Sequence, residues 1–222
     1  MRPGYDAVLF DLDGTLIDST PATEQAWARW AEEEGLGGGY RHAGHGLAAR
    51  DVVRAALPAD RTAAALARID ELEVAMTDGI SPKEGAPARL EELPAGRWAI
   101  VTSCSRRLAL ARLAAAGLSA PAVLVTADDV GAGKPAPDGY RLAARRMGLD
   151  PARCLAVEDT PVGVAAAAAA ECTVLAVAGT VPADELAAAD LVCASLAQMR
   201  FQLQEDGVHL RQAGTVRPVN WA

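Results

Sequence analysis

Four short stretches of this 222-residue chain carry groups suited to metal or phosphate chemistry. Asp11-Leu12-Asp13-Gly14-Thr15 offers two carboxylates on alternate residues and Thr102-Ser103 two hydroxyls. Gly133-Lys134-Pro135 adds an ammonium and Glu158-Asp159 two more carboxylates. Singly, each has an ordinary explanation: a turn, a helix cap, a solvated lysine, an acidic helix N-terminus. Brought together, three or four carboxylates would repel one another unless a cation joined them. A hard, oxygen-preferring ion such as Mg²⁺ answers that need. A lysine and a hydroxyl beside such an ion suit an anionic, oxygen-rich ligand, hence phosphate. Arginine outnumbers lysine 19 to 2, so Lys134 stands out as a place where a compact point charge is wanted and a broad guanidinium fork is not.

These groups meet only if the elements carrying them converge. Continuous apolar runs recur at Ala7–Phe10, Trp98–Val101, Ala122–Val125, Cys154–Val157, Thr173–Val177 and Leu191–Cys193. Runs of that length fit parallel strands buried on both faces. Helical patterns lie between them: Arg106–Ala116 before Gly117, Asp138–Met147 before Gly148, and a helix from Pro161 to Ala170 capped by Thr160. The alternation predicts an α/β fold, a doubly wound (Rossmann-like) parallel sheet, with each polar cluster at a strand's carboxyl end. Residues 18–82 break the alternation and read as helices only: Pro21–Glu34, Leu47–Leu57, and Arg61–Met76 with Asp60 as N-cap. The expected organisation is therefore an α/β core of residues 1–17 and 83–222 with a helical cap, residues 18–82, inserted after the first strand. Alternation around Asp206-Gly207 predicts a C-terminal β-hairpin over about 200–211 with a type I′ turn.

The ordered set of motifs resembles the haloacid dehalogenase-like hydrolase superfamily, most of whose members are phosphatases, over nearly the whole chain. Asp11 to Thr15 matches its first motif, DxDGT; Thr102, Lys134 and Glu158-Asp159 match the three that follow. The resemblance implies that Asp11 is the nucleophile, forming an aspartyl-phosphate, and that Asp13 serves as acid and then base. It implies Mg²⁺ (magnesium) held by the Asp11 carboxylate, the Asp13 backbone carbonyl and Asp159, with Glu158 assisting. Thr102 and the amides of Leu12 and Ser103 would grip phosphate oxygens, and Lys134 would neutralise both Asp11 and the transferring group.

Residues here also sort the branches of that superfamily. Dehalogenases in it lack the second acid of the first motif, and Asp13 is present. Its phosphonate hydrolases carry a lysine in the cap, and residues 18–82 contain none. The text around Asp18–Ala22, Trp98–Ser103 and Thr126–Pro135 is similar to sugar and polyol phosphatases of the glycerol phosphatase and 2-deoxyglucose-6-phosphatase type. A β-phosphoglucomutase-like phosphomutase shares all four motifs and is the alternative. A phospho-acceptor switch of the receiver type would be shorter and would lack a cap. Related phosphatases carry a His-Gly pair at the substrate mouth, followed closely by arginine; His45-Gly46 is followed by Leu47 and Ala48, so His45 and Arg50 are the candidate substrate contacts. Cys104 and Glu171 stand where glycine is usual.

Composition sets the outer bounds. A net charge of −8 disfavours nucleic acid or an anionic membrane as partner, because phosphate backbones need a positive surface. No signal-like or membrane-spanning apolar stretch is evident, and the four cysteines are scattered without a CxxC pair, which predicts free thiols. The expectation is a cytoplasmic monomer acting on a small-molecule phosphate ester.

Overall fold

A computed structural model describes residues 4–37 and 46–213. In chain order the strands are β1 (Ala7–Phe10), β2 (Ile17–Asp18), β3 (Ser81–Pro82), β4 (Trp98–Val101), β5 (Leu124–Val125), β6 (Cys154–Glu158), β7 (Thr173–Val177), β8 (Leu191–Cys193), β9 (Met199–Gln204) and β10 (Gly207–Gln212). The helices are α1 (Thr20–Glu34), α2 (Ala49–Ala56), α3 (Ala59–Ala75), α4 (Ala86–Glu91), α5 (Arg106–Ala115), α6 (Asp138–Met147) and α7 (Pro161–Ala169).

Six strands form one parallel sheet in the order β5-β4-β1-β6-β7-β8. The chain winds outward from β1 to β4 and β5 on one side, and from β6 to β7 and β8 on the other. The crevice at the carboxyl end of β1, between its neighbours, is where such a sheet places a ligand. Both faces of the strands are covered. Val8, Phe10, Ile100, Leu155, Val157 and Leu175 join one apolar cluster with α5 and the C-terminal ribbon, while Ala7, Leu9, Ala99, Val101, Ala156 and Ala176 join another with α6 and α7. The second face is built largely of alanine meeting alanine, which lets helix and sheet backbones approach closely. Much of the chain's alanine content is used there.

The expected strands and helices are present, with boundary differences that have physical causes. β5 spans only Leu124–Val125, because it is an edge strand whose sole partner pairs through Ile100 and Val101. α3 begins at Ala59 after Pro58, so Asp60 lies inside the first turn, where its charge complements the helix dipole, and is not the N-cap. Thr160 does cap α7, its hydroxyl accepting from the Gly163 amide at 3.3 Å.

The helices of residues 18–82 bury a third cluster of their own, with Trp27, Trp30, Val53, Ile69 and Leu72 at its centre. The Trp27 and Trp30 rings meet edge to face, 5.1 Å apart. The chain leaves and re-enters the sheet domain through a short antiparallel ribbon that pairs Ile17 with Pro82 and Asp18 with Ser81.

β9 and β10 form the C-terminal hairpin, with Phe201 edge-on to Phe10 at 5.8 Å. Its turn differs from the type I′ expectation. Gln204 pairs with Gly207, so the turn residues are Glu205 and Asp206, and neither has the positive φ that a type I′ turn requires. Gly207 serves another purpose: a Cβ there would lie 2.5 Å from the Tyr5 carbonyl oxygen, against which this strand packs.

Candidate active site

The carboxyl ends of β1, β4 and β6 bring the expected clusters to one place. Asp11 follows β1 and Thr102 follows β4, and both side chains are buried; Glu158 ends β6 and Asp159 follows it. Lys134 reaches in from the loop after β5 and bridges Asp11 Oδ1 and Glu158 Oε1, each at 2.5 Å. Glu158 also accepts from the Tyr140 hydroxyl at 2.5 Å, and the Lys134 ammonium stands 5.7 Å from the centre of that ring. Burial works against charge on Lys134, but Asp11 and Glu158 outweigh it and hold its pKa above the ordinary lysine value.

Asp11, Glu158 and Asp159 can each present an oxygen within 4.8 Å of the others. Burial pushes the Asp11 carboxyl well above the usual range; Lys134 opposes the shift, and Glu158 and Asp159 add to it. Asp159 is likewise raised, by burial first and then by Glu158. One Asp159 oxygen, Oδ1, accepts weakly from Thr15 at 3.4 Å, and the other, Oδ2, is buried with no hydrogen-bond partner. Three buried carboxylates around one ammonium, with an orphaned oxygen among them, fit a hard divalent cation.

Two glycines make room for this cluster. Gly14 has φ +87° and a Cβ on it would fall 1.9 Å from Asp159 Oδ2. A Cβ on Gly163, in the first turn of α7, would fall 2.0 Å from Glu158 Oε2.

Asp13 is held differently. Its Oδ1 accepts from the Ser19 hydroxyl at 2.6 Å and from an Arg112 guanidinium nitrogen at 2.8 Å. Its Oδ2 accepts from the Cys104 thiol at 3.0 Å. Burial pushes that thiol well above its usual pKa and Asp13 adds to the shift, so Cys104 is a proton donor here and not a nucleophile.

A cavity of about 590 Å³ separates the sheet edge from the helical insertion. Asp11, Asp13, Thr102 and Ser103 line it from below; Thr23, Trp27, Arg50 and Glu73 line it from the insertion. The two walls touch at several points. Ser103 Oγ donates to the Gly46 carbonyl at 2.7 Å, and Ser105 Oγ to Asp70 at 2.5 Å.

Of the residues singled out from the sequence, Asp11, Asp13, Thr102, Ser103 and Asp159 therefore line this cavity, and Lys134 and Glu158 stand behind Asp11, joined to it through the ammonium. The Leu12 side chain is fully buried in the core, so its backbone is what it offers the site. Arg50 lines the cavity but donates to the Ala127 and Val130 carbonyls at 3.0 and 3.3 Å, and its second terminal nitrogen is buried without a partner. His45 lies outside the described residues. Sequence reasoning passed over Tyr140, Ser19, Glu73 and Arg112. A signal was there for the last two: Arg112 shares its helix face with buried Leu108, Ala109 and Leu113, and Glu73 with buried Ala65, Ile69 and Leu72. A charge inside an apolar stripe must have a partner.

Comparison with known proteins agrees with this arrangement. The family model described as haloacid dehalogenase-like hydrolase matches residues 5–171. Hexitol phosphatase A of Escherichia coli is 43% identical over 205 residues, covering 90% of this chain and 95% of that protein. The 2-deoxyglucose-6-phosphate phosphatase 1 of Saccharomyces cerevisiae is 32% identical, covering 72% and 75%. Among solved structures, CbbY from Rhodobacter sphaeroides in complex with xylulose-1,5-bisphosphate superposes with a TM-score of 0.76 at 25% identity, covering 87% of this chain and 96% of that one. The chain belongs to the haloacid dehalogenase-like hydrolases and is a phosphatase of that family. Among the described residues, no helix is long and apolar enough to cross a membrane.

Proposed function

We propose that the protein hydrolyses the phosphate monoester of a small sugar or polyol through an aspartyl-phosphate on Asp11. The observation that carries this reading is the Lys134 ammonium joining Glu158 to Asp11, whose carboxylate lines a cavity between the sheet edge and the helices of residues 18–82. The relatives' names, hexitol phosphatase among them, support the substrate class. The cavity volume of about 590 Å³ accommodates a molecule of that size.

In the first step an Asp11 oxygen bonds to phosphorus while the ester P–O bond breaks. The departing alkoxide takes a proton from Asp13. Asp13, now a carboxylate, then accepts a proton from water as that water's oxygen attacks the phosphorus. The bond to Asp11 breaks, and inorganic phosphate leaves. Thr102 and the amides of Leu12 and Ser103 hold phosphoryl oxygens, and Lys134 balances charge on Asp11 and on the group in transfer. The carboxylates of Asp11 and Asp159 and the Asp13 carbonyl would hold Mg²⁺, with Glu158 beside them. A hard cation there offsets carboxylate repulsion and draws charge from the phosphoryl oxygens. Residues 18–82 act as the cap that keeps bulk water out, with Arg50, which lines the cavity, and His45 as its candidate substrate contacts.

The test is phosphate release from a panel of hexitol, hexose and glycerol phosphates, with Mg²⁺ and with chelator, for the wild type and Asp11→Asn. Release that needs the metal and vanishes in the variant is expected. Release that survives Asp11→Asn overturns the nucleophile. Isomerisation with little free phosphate favours a phosphomutase.

A further inference from the structure

Arg112 lies on α5, outside all four motifs, yet it is buried between the two halves of the cavity. One terminal nitrogen donates to Asp13 Oδ1 at 2.8 Å and contacts the Cys104 sulfur at 3.2 Å, both in the sheet domain. The other donates to Thr23 Oγ1 at 2.7 Å and Glu73 Oε1 at 2.8 Å, both in the helical insertion. Glu73 is itself fixed by the Trp27 indole at 3.3 Å. A guanidinium is planar and stiff, so displacing one nitrogen displaces the other.

The two Asp13 oxygens are thereby made unequal. Oδ1 accepts two strong donors, Ser19 and Arg112, and Oδ2 only a thiol, which donates weakly. We propose that Arg112 is a positioning residue for the acid–base step: it pins Asp13 Oδ1 so that Oδ2 exchanges the proton with the leaving oxygen, and it takes its own position from Glu73 and Thr23 of the cap. This role rests on the reading of Asp13 as the acid. In the step concerned the Oδ2–H bond breaks as the new O–H bond to the departing alkoxide forms, and Oδ1 keeps both donors throughout. Assembly of the acid is in this way tied to the seating of the cap.

The test uses leaving groups that differ in their need for a proton. A polyol phosphate expels a basic alkoxide, whereas p-nitrophenyl phosphate expels a phenolate stable without one. In Arg112→Gln, kcat for glycerol 1-phosphate is expected to fall about 10²-fold, and kcat for the aryl ester roughly threefold at most. Arg112→Lys is expected to recover part of the alkyl-ester rate alone. Both substrates are measured on one preparation, so the ratio is independent of how much protein is folded. The double variant Glu73→Gln/Arg112→Gln, which leaves no unpaired cap carboxylate, should show the same ratio. Equal losses on both esters, or none on either, overturn the positioning role while leaving the phosphatase reading intact. A wild type that releases phosphate from neither overturns that reading and this role with it.

Discussion

Lys134→Ala is the perturbation that separates a charge-balancing lysine from a decorative one. The ammonium is buried and serves two carboxylates, Asp11 and Glu158, with Asp159 close by. Removing one partner of a buried ion pair costs about 3–5 kcal/mol, because the charge left behind keeps its desolvation penalty. The loss should not double for two carboxylates. Burial already pushes Asp11 well above its ordinary pKa, so it can take up a proton instead of remaining charged. For a chain of this size each kcal/mol moves the melting point by about 2–4 °C, so a fall of roughly 6–20 °C is expected in chelator. Saturating Mg²⁺ should narrow the gap, because an added cation offsets the same repulsion. The assay is thermal unfolding followed by circular dichroism, with and without Mg²⁺, alongside Lys134→Met to separate charge from packing of the side-chain stem. A variant melting within about 2 °C of the wild type in chelator would refute the charge-balance reasoning.

Three further outcomes follow from single positions. Gly163→Ala places a methyl group 2.0 Å from a Glu158 oxygen that has nowhere to go, and should cost about 1–3 kcal/mol in chemical denaturation and slow phosphate release; an unchanged midpoint and rate would show that Glu158 is free to move. Glu171 is left-handed at φ 71° just beyond α7, so Glu171→Gly should raise stability by about 0.5–1 kcal/mol, and a lower melting point would contradict the strain. Burial tends to raise the Asp129 pKa, but Arg146 and Thr126 hold it below the ordinary 3.8. Its stabilisation is therefore present above that value and is lost as pH falls below it. Asp129→Asn should cost about 1 kcal/mol at neutral pH and progressively less in acid, and a pH-independent difference would rule the ion pair out as its source.

The sheet and the metal-compatible cluster were legible in sequence because their physics is local. A strand buried on both faces must be an unbroken apolar run, as Ala7–Phe10 and Cys154–Val157 are, and the residue after such a run must lie at the sheet edge. Parallel strands share that edge, so the sequence alone places Asp11, Thr102 and Asp159 together. The helices α1, α2 and α3 were legible from their apolar spacing and from the absence of long apolar runs between them. The hairpin turn was misplaced by one residue, because Gly207 answers to a crowded contact with Tyr5, which lies about 200 positions away in the chain.

What the sequence determined by itself was the set of chemical groups and the strand ends that carry them. Tertiary structure alone decided how each group is held. Lys134 bridges Asp11 and Glu158, Tyr140 braces Glu158, and Arg112 divides its donors between Asp13 and Glu73. The apolar stripes of their helices mark Arg112 and Glu73 as charges that need partners, but not as partners of each other. Their pairing exists only because α3 and α5, 39 residues apart at this contact, press the two buried side chains together. There an unpaired charge is too costly to leave, so packing, which no local pattern encodes, dictates the partner.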